Sequence, residues 1–321
     1  NNSGGSSSFV LNLGVNSAAP GTFQYIPENN TWTNNTEVHL APQFINQTTG
    51  NGSIWNVVDI NSGASNSNPG YYMELLVGDT LYFSANDGIK GDELWAYNTS
   101  SHSTWRVADI FSGSGKSWPG AYMHLLVGDT IYFSAYDGNT GHELWAHDTS
   151  NHSTWRVTDI NSGPGHSYPG SYISMLVGDT LYFGAIETST GYELWAHDTS
   201  NHSTWRVTDI NSGSGHSYPG YSTGDAGETL VGDTLYFAGS DGSTGRELWA
   251  HDTSNHSTWQ VADIYSGSSS NPGTYMMLTV GDTLYFDASD SAYRHELWAH
   301  DTSNHSCLLY TSPSPRDSTL S

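Results

Sequence analysis

Positive charge is what this chain has least of. Lys and Arg together number 8 in 321 residues, against 32 Asp and Glu, a formal net charge of −24. A surface of that sign repels nucleic acid and anionic membranes, and suits a saline exterior, cationic partners or divalent ions. Cysteine is almost missing too. Cys307 stands alone, so no disulfide framework exists within the chain and the redox compartment cannot be read from it. No run of about twenty apolar residues occurs, which excludes a transmembrane helix and membrane insertion by that route. There is no 3.6-residue apolar stripe long enough for a helix. Gly-rich phosphate loop, nucleophile elbow and basic–aromatic patch are all absent. The chain opens at Asn1 with neither Met nor a signal sequence, as a processed product or a fragment would.

What is present is repetition. A unit of about fifty residues occurs five times, most legibly over 153–201: TWRVTDI, a Gly/Ser/Pro loop, LVGDTLYF, a short loop, then ELWAHDTSN. Three landmarks keep the register: Asp59, Asp109, Asp159, Asp209 and Asp263; Tyr82, Tyr132, Tyr182, Tyr236 and Tyr285; Trp95, Trp145, Trp195, Trp249 and Trp298. Repeat four gains four residues and repeat five loses one. Self-similarity at this period marks propellers, solenoids or arrays.

Every segment of the unit reads as strand. Leu181-Tyr182-Phe183 and Glu193-Leu194-Trp195 are short and rich in aromatic and apolar residues, bounded by Gly-Asp and Ser-Thr-Gly turns. Val157, Thr158 and Ile160 mark another strand, and 172–177 a fourth. Side chains alternate along a strand, so Leu181 and Phe183 face one way and Tyr182 the other. Both faces are large and apolar, and each needs a neighbouring sheet. The expectation is an all-β propeller of five or six four-stranded blades, about fifty residues each. Residues 53–306 form the five-repeat body. Residues 1–52 hold a degenerate partial blade, because 43–55 aligns with 143–155, behind a Gly/Ser-rich start.

After Ser306 the register demands Thr-Trp-Arg-Val, but the chain reads CLLYTSPSPRD. That string resembles an in-frame translation of the transposon end and adapter used in sequencing libraries. Residues 307–321 are therefore expected to be a non-native tail, with the native gene continuing into further repeats.

The recurring Glu-Leu-Trp, Asp-Ile-x-Ser-Gly and Leu-Tyr-Phe, with a Gly before the next Glu-Leu-Trp in repeats one to four, resemble the ELWxxDGT repeat family of bacterial and archaeal surface and secreted proteins. It is especially similar to repeat proteins of marine planktonic archaea, and the likeness covers about 54–306. One departure is visible, since the Asp-Gly-Thr of the family is Asp148-Thr149-Ser150 here. The resemblance implies a propeller-like fold and a surface location, and carries no catalytic residues.

Glu93, Glu143, Glu193, Glu247 and Glu296 recur in every unit. An active site usually needs one asymmetric set, so these acids are expected to accept hydrogen bonds between strands. The Asp59 series should pair with Arg106, Arg156 and Arg206. His142, His147 and His152 are spaced by five, which puts neighbours on opposite faces of a strand and argues against a zinc site. His147, His197, His251 and His300 are expected near turns, as solvated or capping groups. Asp87, Asp137 and Asp241, each followed by Gly, offer oxygen ligands for calcium, the one cofactor suggested, and are also ordinary turn residues. Asn151, Asn201, Asn255, Asn304 and Asn51 begin Asn-x-Ser sequons, Asn98 replaces the site in its repeat, and Asn29, Asn34 and Asn46 add more. Such sequons mark surface turns of exported proteins. Repeat four breaks the symmetry between Tyr221 and Thr229, where Asp225 and Glu228 read as acids of its own. With Tyr221 they form the candidate ligand site.

These observations lead to an extracellular or cell-surface scaffold that binds or adheres to glycans or surface proteins. The alternatives are a polysaccharide hydrolase or lyase acting at the ring mouth, and a self-assembling subunit of an envelope or filament.

Overall fold

The computed structural model describes residues 53–221, 227–291 and 295–303, with the strands Gln24–Ile26, Thr31–Thr33, Gln47–Thr48 and Ser306–Leu309. The chain divides into two units, Asn1–Val58 and Asp59–Ser321.

In the first unit, β1 (Gln24–Ile26) pairs with β2 (Thr31–Thr33), and β3 (Gln47–Thr48) with β4 (Ser53–Ile54). The Gln47–Ile54 partnership falls one hundred residues before that of His147 and Thr154.

The second unit is five antiparallel four-stranded sheets, each a meander in chain order. Blade one holds β5 (Glu74–Val77), β6 (Thr80–Asn86), β7 (Asp92–Asn98) and β8 (Ser103–Ala108). Blade two holds β9 (His124–Val127), β10 (Thr130–Tyr136), β11 (His142–Asp148) and β12 (Thr154–Arg156). In blade three these become β13 (Ser174–Val177), β14 (Thr180–Glu187), β15 (Gly191–Asp198) and β16 (Thr204–Arg206). Blade four has β17 (Glu228–Val231), β18 (Thr234–Ser240), β19 (Arg246–Asp252) and β20 (Thr258–Ala262). Blade five has β21 (Met277–Val280), β22 (Thr283–Ser289), β23 (His295–Asp301) and β24 (Ser306–Leu309). No α-helix occurs among the described residues. The Thr-Trp-Arg strand thus closes a sheet rather than opening one. In blades two and three it stops at Arg156 and Arg206, short of the Val and Ile read as its continuation. In blade five the closing strand draws Cys307, Leu308 and Leu309 from the segment read as a tail, with Cys307 opposite His300.

Local chemistry explains the meander. Val77 pairs with Thr80 across Gly78-Asp79, and Gly78 has φ +57°, the positive value a two-residue hairpin turn requires at its first position. The same turn recurs at Gly128, Gly178, Gly232 and Gly281.

Packing follows the alternation of side chains. Met73, Tyr82, Leu94, Ala96 and Ile110 of blade one meet Ile131, Phe133 and Ala135 of blade two in a single buried cluster. Met123, Tyr132, Leu144, Ala146 and Ile160 likewise meet Leu181, Phe183 and Ala185. The pattern repeats at the next two seams. Each of the four seams therefore sets a Tyr-Leu-Ala face of one blade against a Leu-Phe-Ala face of the next, with Ile131 for Leu in blade two and Gly239 for Ala in blade four. This serial face-to-face stacking of four-stranded meanders is a β-propeller arrangement. The outer faces of the series differ from the seams. Leu81 is 36% exposed while Ile131, Leu181, Leu235 and Leu284 are at 0%, and Leu297 is 40% exposed while Leu94, Leu144, Leu194 and Leu248 are at 0%.

The histidines expected near turns as solvated groups are core residues instead. His147, His197, His251 and His300 are buried. Each ring packs on a tyrosine of the preceding blade, at 5.4–5.5 Å between centroids for Tyr82–His147, Tyr132–His197, Tyr182–His251 and Tyr236–His300. In the first three, Nδ1 meets the Oγ1 of Thr154, Thr204 or Thr258 on the closing strand. Burial holds these three rings down to about 4, so they are neutral at physiological pH.

Candidate binding face at the loop end of the blades

Each blade has two ends. At one lie the Gly-Asp hairpin and the turn after Glu-Leu-Trp. At the other lie the loop between second and third strands and the long connection to the next blade. A seven-residue strand separates them by roughly 20 Å.

The connection between blades is clasped by the repeated glutamate. Glu93 accepts the amides of Ile110 and Phe111 at 2.8 and 3.1 Å and the Ser117 hydroxyl at 2.9 Å. Ser117 also donates from its amide to the Asp92 carbonyl, and its own carbonyl accepts from Tyr136 of the next blade. Glu143, Glu193 and Glu247 repeat the clasp on Ser167, Ser217 and Ser270. Burial pushes Glu93, Glu143 and Glu193 up to about 7 against these donors. Glu296, with no following blade among the described residues, is exposed. The acids thus tie strands together, as their recurrence suggested. Asp159 and Asp209 lie 3.7 and 3.6 Å from Arg156 and Arg206. Arg156 also approaches Asp137 of the Asp-Gly loop, at 3.9 Å, as Arg106 does Asp87 at 3.2 Å, and in blade one Lys90, a lysine that only this repeat carries in that loop, takes Asp109.

Asp87, Asp137 and Asp241 sit in those loops as turn formers. Asp137 accepts the amides of Asn139 and Thr140 at 2.8 Å each and the Thr140 hydroxyl at 2.9 Å. Asp241 takes the same two amides from Ser243 and Thr244 together with both hydroxyls. Those four donors, acting against burial, hold Asp241 at about 2. Among the described residues no three His, Cys, Asp or Glu side chains are grouped to hold a metal ion.

The sequons lie at the opposite end. Asn151, Asn201 and Asn255 are exposed in the turn after Glu-Leu-Trp, where each side-chain amide donates to Asp148, Asp198 or Asp252. Asn98 stands three residues earlier, at the Asp148 position, and is half-buried against Thr80. Asn29, Asn34, Asn46, Asn51 and Asn304 lie outside the described residues, as does Asp225. Glu228 is not peculiar to repeat four. It opens β17 opposite Phe237, the register that Glu74 holds opposite Phe83. The extra residues of this repeat therefore precede it. Burial pushes Glu228 up to about 7.

One feature of the loop end escapes a reading of the repeats one at a time. The residue before each Glu-Leu-Trp is Asp92, His142, Tyr192, Arg246 and His295 in turn, five blades carrying four chemistries inside a nearly constant text. The residue before each Pro-Gly is Asn68, Trp118, Tyr168, Tyr218 and Asn271. Aligning the five copies column by column exposes both positions, and the structure brings them together.

His142 is buried among the rings of Trp118, Tyr122, Tyr136, His166 and Tyr168, with centroids at 5.2–5.6 Å. Its amide donates to His166 Nδ1 at 3.0 Å. Burial, with His166 beside it, holds His142 down to about 4. In blade three, Tyr192 takes this place beside Tyr172 and Tyr218, and burial raises its phenol. Arg246 lies over the Tyr221 ring at 4.2 Å. Blade one has Asp92 paired with Lys116 at 3.0 Å, and blade five His295 with Asp287 at 3.0 Å. The preceding glycine makes room for the cluster. Gly141 has φ +80°, and a Cβ there would collide with the Gly165 carbonyl.

Trp118, Tyr168 and Tyr218 hold φ of +45° to +46°, a left-handed conformation that bulky residues rarely take and that stores strain. Asn68 and Asn271, at the same φ, tolerate it better. Three adjacent blades thus hold an aromatic ring at a strained position where blades one and five hold asparagine.

No family model matches the chain, and no curated protein matches it. Among solved structures it is similar to puromycin hydrolase, at 12% identity and a TM-score of 0.46 over 82% of this chain and 41% of that one. It is also similar to TolB from Acinetobacter baumannii, at 14% and 0.35 over 71% and 50%, and to BamB from Moraxella catarrhalis, at 16% and 0.35 over 74% and 62%. The chain spans about two fifths to three fifths of these three structures. Its fold rests on its own strand pairing and seams.

Proposed function

We propose that this chain is an extracellular or cell-surface β-propeller scaffold for binding or adhesion, and that it contacts glycans or surface proteins with the loop end of blades two to four. The observation that carries this reading is the confinement of chemical variety to one end. Seam and hairpin positions are copied from repeat to repeat, while the position before Glu-Leu-Trp, buried beneath the loops in blades one to three, changes from acid to imidazole to phenol to guanidinium. A scaffold needs constant seams, and a recognition surface needs differing contacts. Half-buried aromatic rings with polar tips suit that role, because they supply contact area at little entropic cost. The sequons fit the same reading: sugars on Asn151, Asn201 and Asn255 would project from the far end and leave the loop end clear.

The test is a glycan and surface-protein panel probed with the purified chain and with Trp118→Ala and Tyr168→Asn, each first shown to unfold at the wild-type temperature to within a few degrees. Binding that is lost in both variants is expected. Binding that survives both but fails when the Asn151 turn is altered would place recognition at the other end and end this reading.

A further inference from the structure

Cations are few enough here to be followed one by one. Lys90, Arg106, Lys116, Arg156 and Arg206 each have a carboxylate within 3.7 Å. Arg246 has none among the described residues. Its Nη1 donates to the Tyr221 carbonyl at 3.0 Å and its guanidinium carbon lies over the Tyr221 ring. Its Nε is buried without a partner among the described residues. Removing a guanidinium from water without an opposing charge is costly, and a planar fork of donors is shaped for a carboxylate.

The surroundings narrow the class of anion. Tyr172, Tyr218 and Tyr221 surround one another at 4.8, 5.9 and 6.1 Å between centroids, and Tyr172 is 36% exposed. Such rings offer flat apolar faces edged by hydroxyls. A pyranose has the matching form, one face of C–H groups and a rim of hydroxyls. A net charge of −24 opposes the indiscriminate capture of polyanions, so an acidic ligand must win its affinity from contacts at short range.

We infer that Arg246, framed by Tyr172, Tyr218 and Tyr221, is a subsite for the carboxylate of an acidic sugar, a uronic acid residue within a glycan. This rests on the reading of the loop end as the recognition face and gives that face a ligand class.

The experiment is calorimetric titration of the wild-type chain, R246Q and R246K with trigalacturonic acid and with its methyl ester, which differs only in lacking the charges, and with triglutamate as a peptide source of the same group. For the wild type, the acid is expected to bind at least tenfold more tightly than the ester, and triglutamate more weakly than the acid. R246Q should bring acid and ester to equal affinity, while R246K keeps a reduced preference for the acid, which shows that charge and not loss of fold is responsible. Equal binding of acid and ester by the wild type overturns the inference and leaves the recognition face standing, as does a full preference for the acid in R246Q. Triglutamate binding as tightly as the sugar overturns the assignment to sugars. Wild-type binding to neither sugar, together with a blank glycan and protein panel, removes the parent reading as well.

Discussion

At the hairpin end of a blade, Val-Gly-Asp-Thr recurs in all five copies and Asp-Thr-Ser-Asn-His-Ser in four. Some 20 Å away, the residue beneath the loops is acid, imidazole, phenol or guanidinium according to the blade. The hairpin end is constant because its side chains hold backbone. Thr99, Thr149, Thr199, Thr253 and Thr302 each donate amide and hydroxyl to the carbonyl of Asp79, Asp129, Asp179, Asp233 or Asp282. At the loop end the main chain holds itself. Gly70, Gly120, Gly170, Gly220 and Gly273 donate to the strand of their own blade, and the buried glutamate clasps the rest. The variable side chains there pack differently in each blade, Asp92 on Lys116, His142 among aromatic rings and Arg246 on Tyr221, and that variety is what a binding surface can use.

The largest expected effect tests the constant part of the blade. Leu194→Ala in a seam should cost about 2–5 kcal/mol, because the neighbouring blade cannot collapse into the space. The half-exposed counterpart Leu297→Ala should cost a small fraction of that. Chemical denaturation of both variants measures the contrast, and equal losses would mean that the outer face is as tightly packed as a seam.

Next in size is the clasp. Glu193→Ala leaves the Ile210 amide without its acceptor, at about 1–3 kcal/mol for the orphaned group, while the Ser217 hydroxyl loses one of two acceptors and keeps the Tyr192 carbonyl. Glu193→Gln keeps an acceptor and should lose less. A lower denaturant midpoint for both, in that order, is the expected result.

A smaller effect concerns pH. His142, His147, His197 and His251 are held at about 4, below the usual 6.5 of an unfolded chain. Their stability is present above 6.5 and lost as pH falls through 4. Glu93, Glu143, Glu193 and Glu228 are raised to about 7 from an unfolded value near 4.3. Their stability is present below that value and lost as pH rises through 7. Burial raises Glu247 as well, so the two sets largely offset each other between about pH 4.5 and 6.5 and the unfolding free energy should decline only gently with rising pH there. His197→Gln removes one opposing proton, and the decline should steepen by about 1.4 kcal/mol per unit. Unfolding curves at three pH values decide it, and an unchanged slope in the variant would show that His197 does not titrate as its burial demands.

The smallest expected effect is at the loop end. Tyr168→Asn copies what blades one and five already carry at this φ. Relief of strain offsets the lost ring contacts, so stability should stay within about 1 kcal/mol while ligand binding is lost. A larger loss of stability would merge the two ends of the blade into one structural unit and weaken the distinction between them.

The sheets were legible in the sequence because the alternation of Leu181, Tyr182 and Phe183 is a local pattern with a single reading on a strand. The role of Glu193 could be inferred from its recurrence alone. The strand order within a blade could not, because a fifty-residue period does not show where one sheet ends and the next begins. His197 was misjudged, since nothing local reveals that the preceding blade brings Tyr132 over its ring. The clustering of His142 with Trp118 and Tyr168 was hidden as well, because these residues belong to different segments of two repeats and meet only across a seam. Arg246 could be singled out only after every other described cation had found its carboxylate.

Every seam joins the same two half-surfaces, and each copy of the unit carries both of them. Gain or loss of one whole copy would therefore rebuild a seam from parts already in hand and ask no compensating change elsewhere. A gene written this way can vary its length in steps of one unit, and with each step add or remove one of the differing residues that stand before Glu-Leu-Trp.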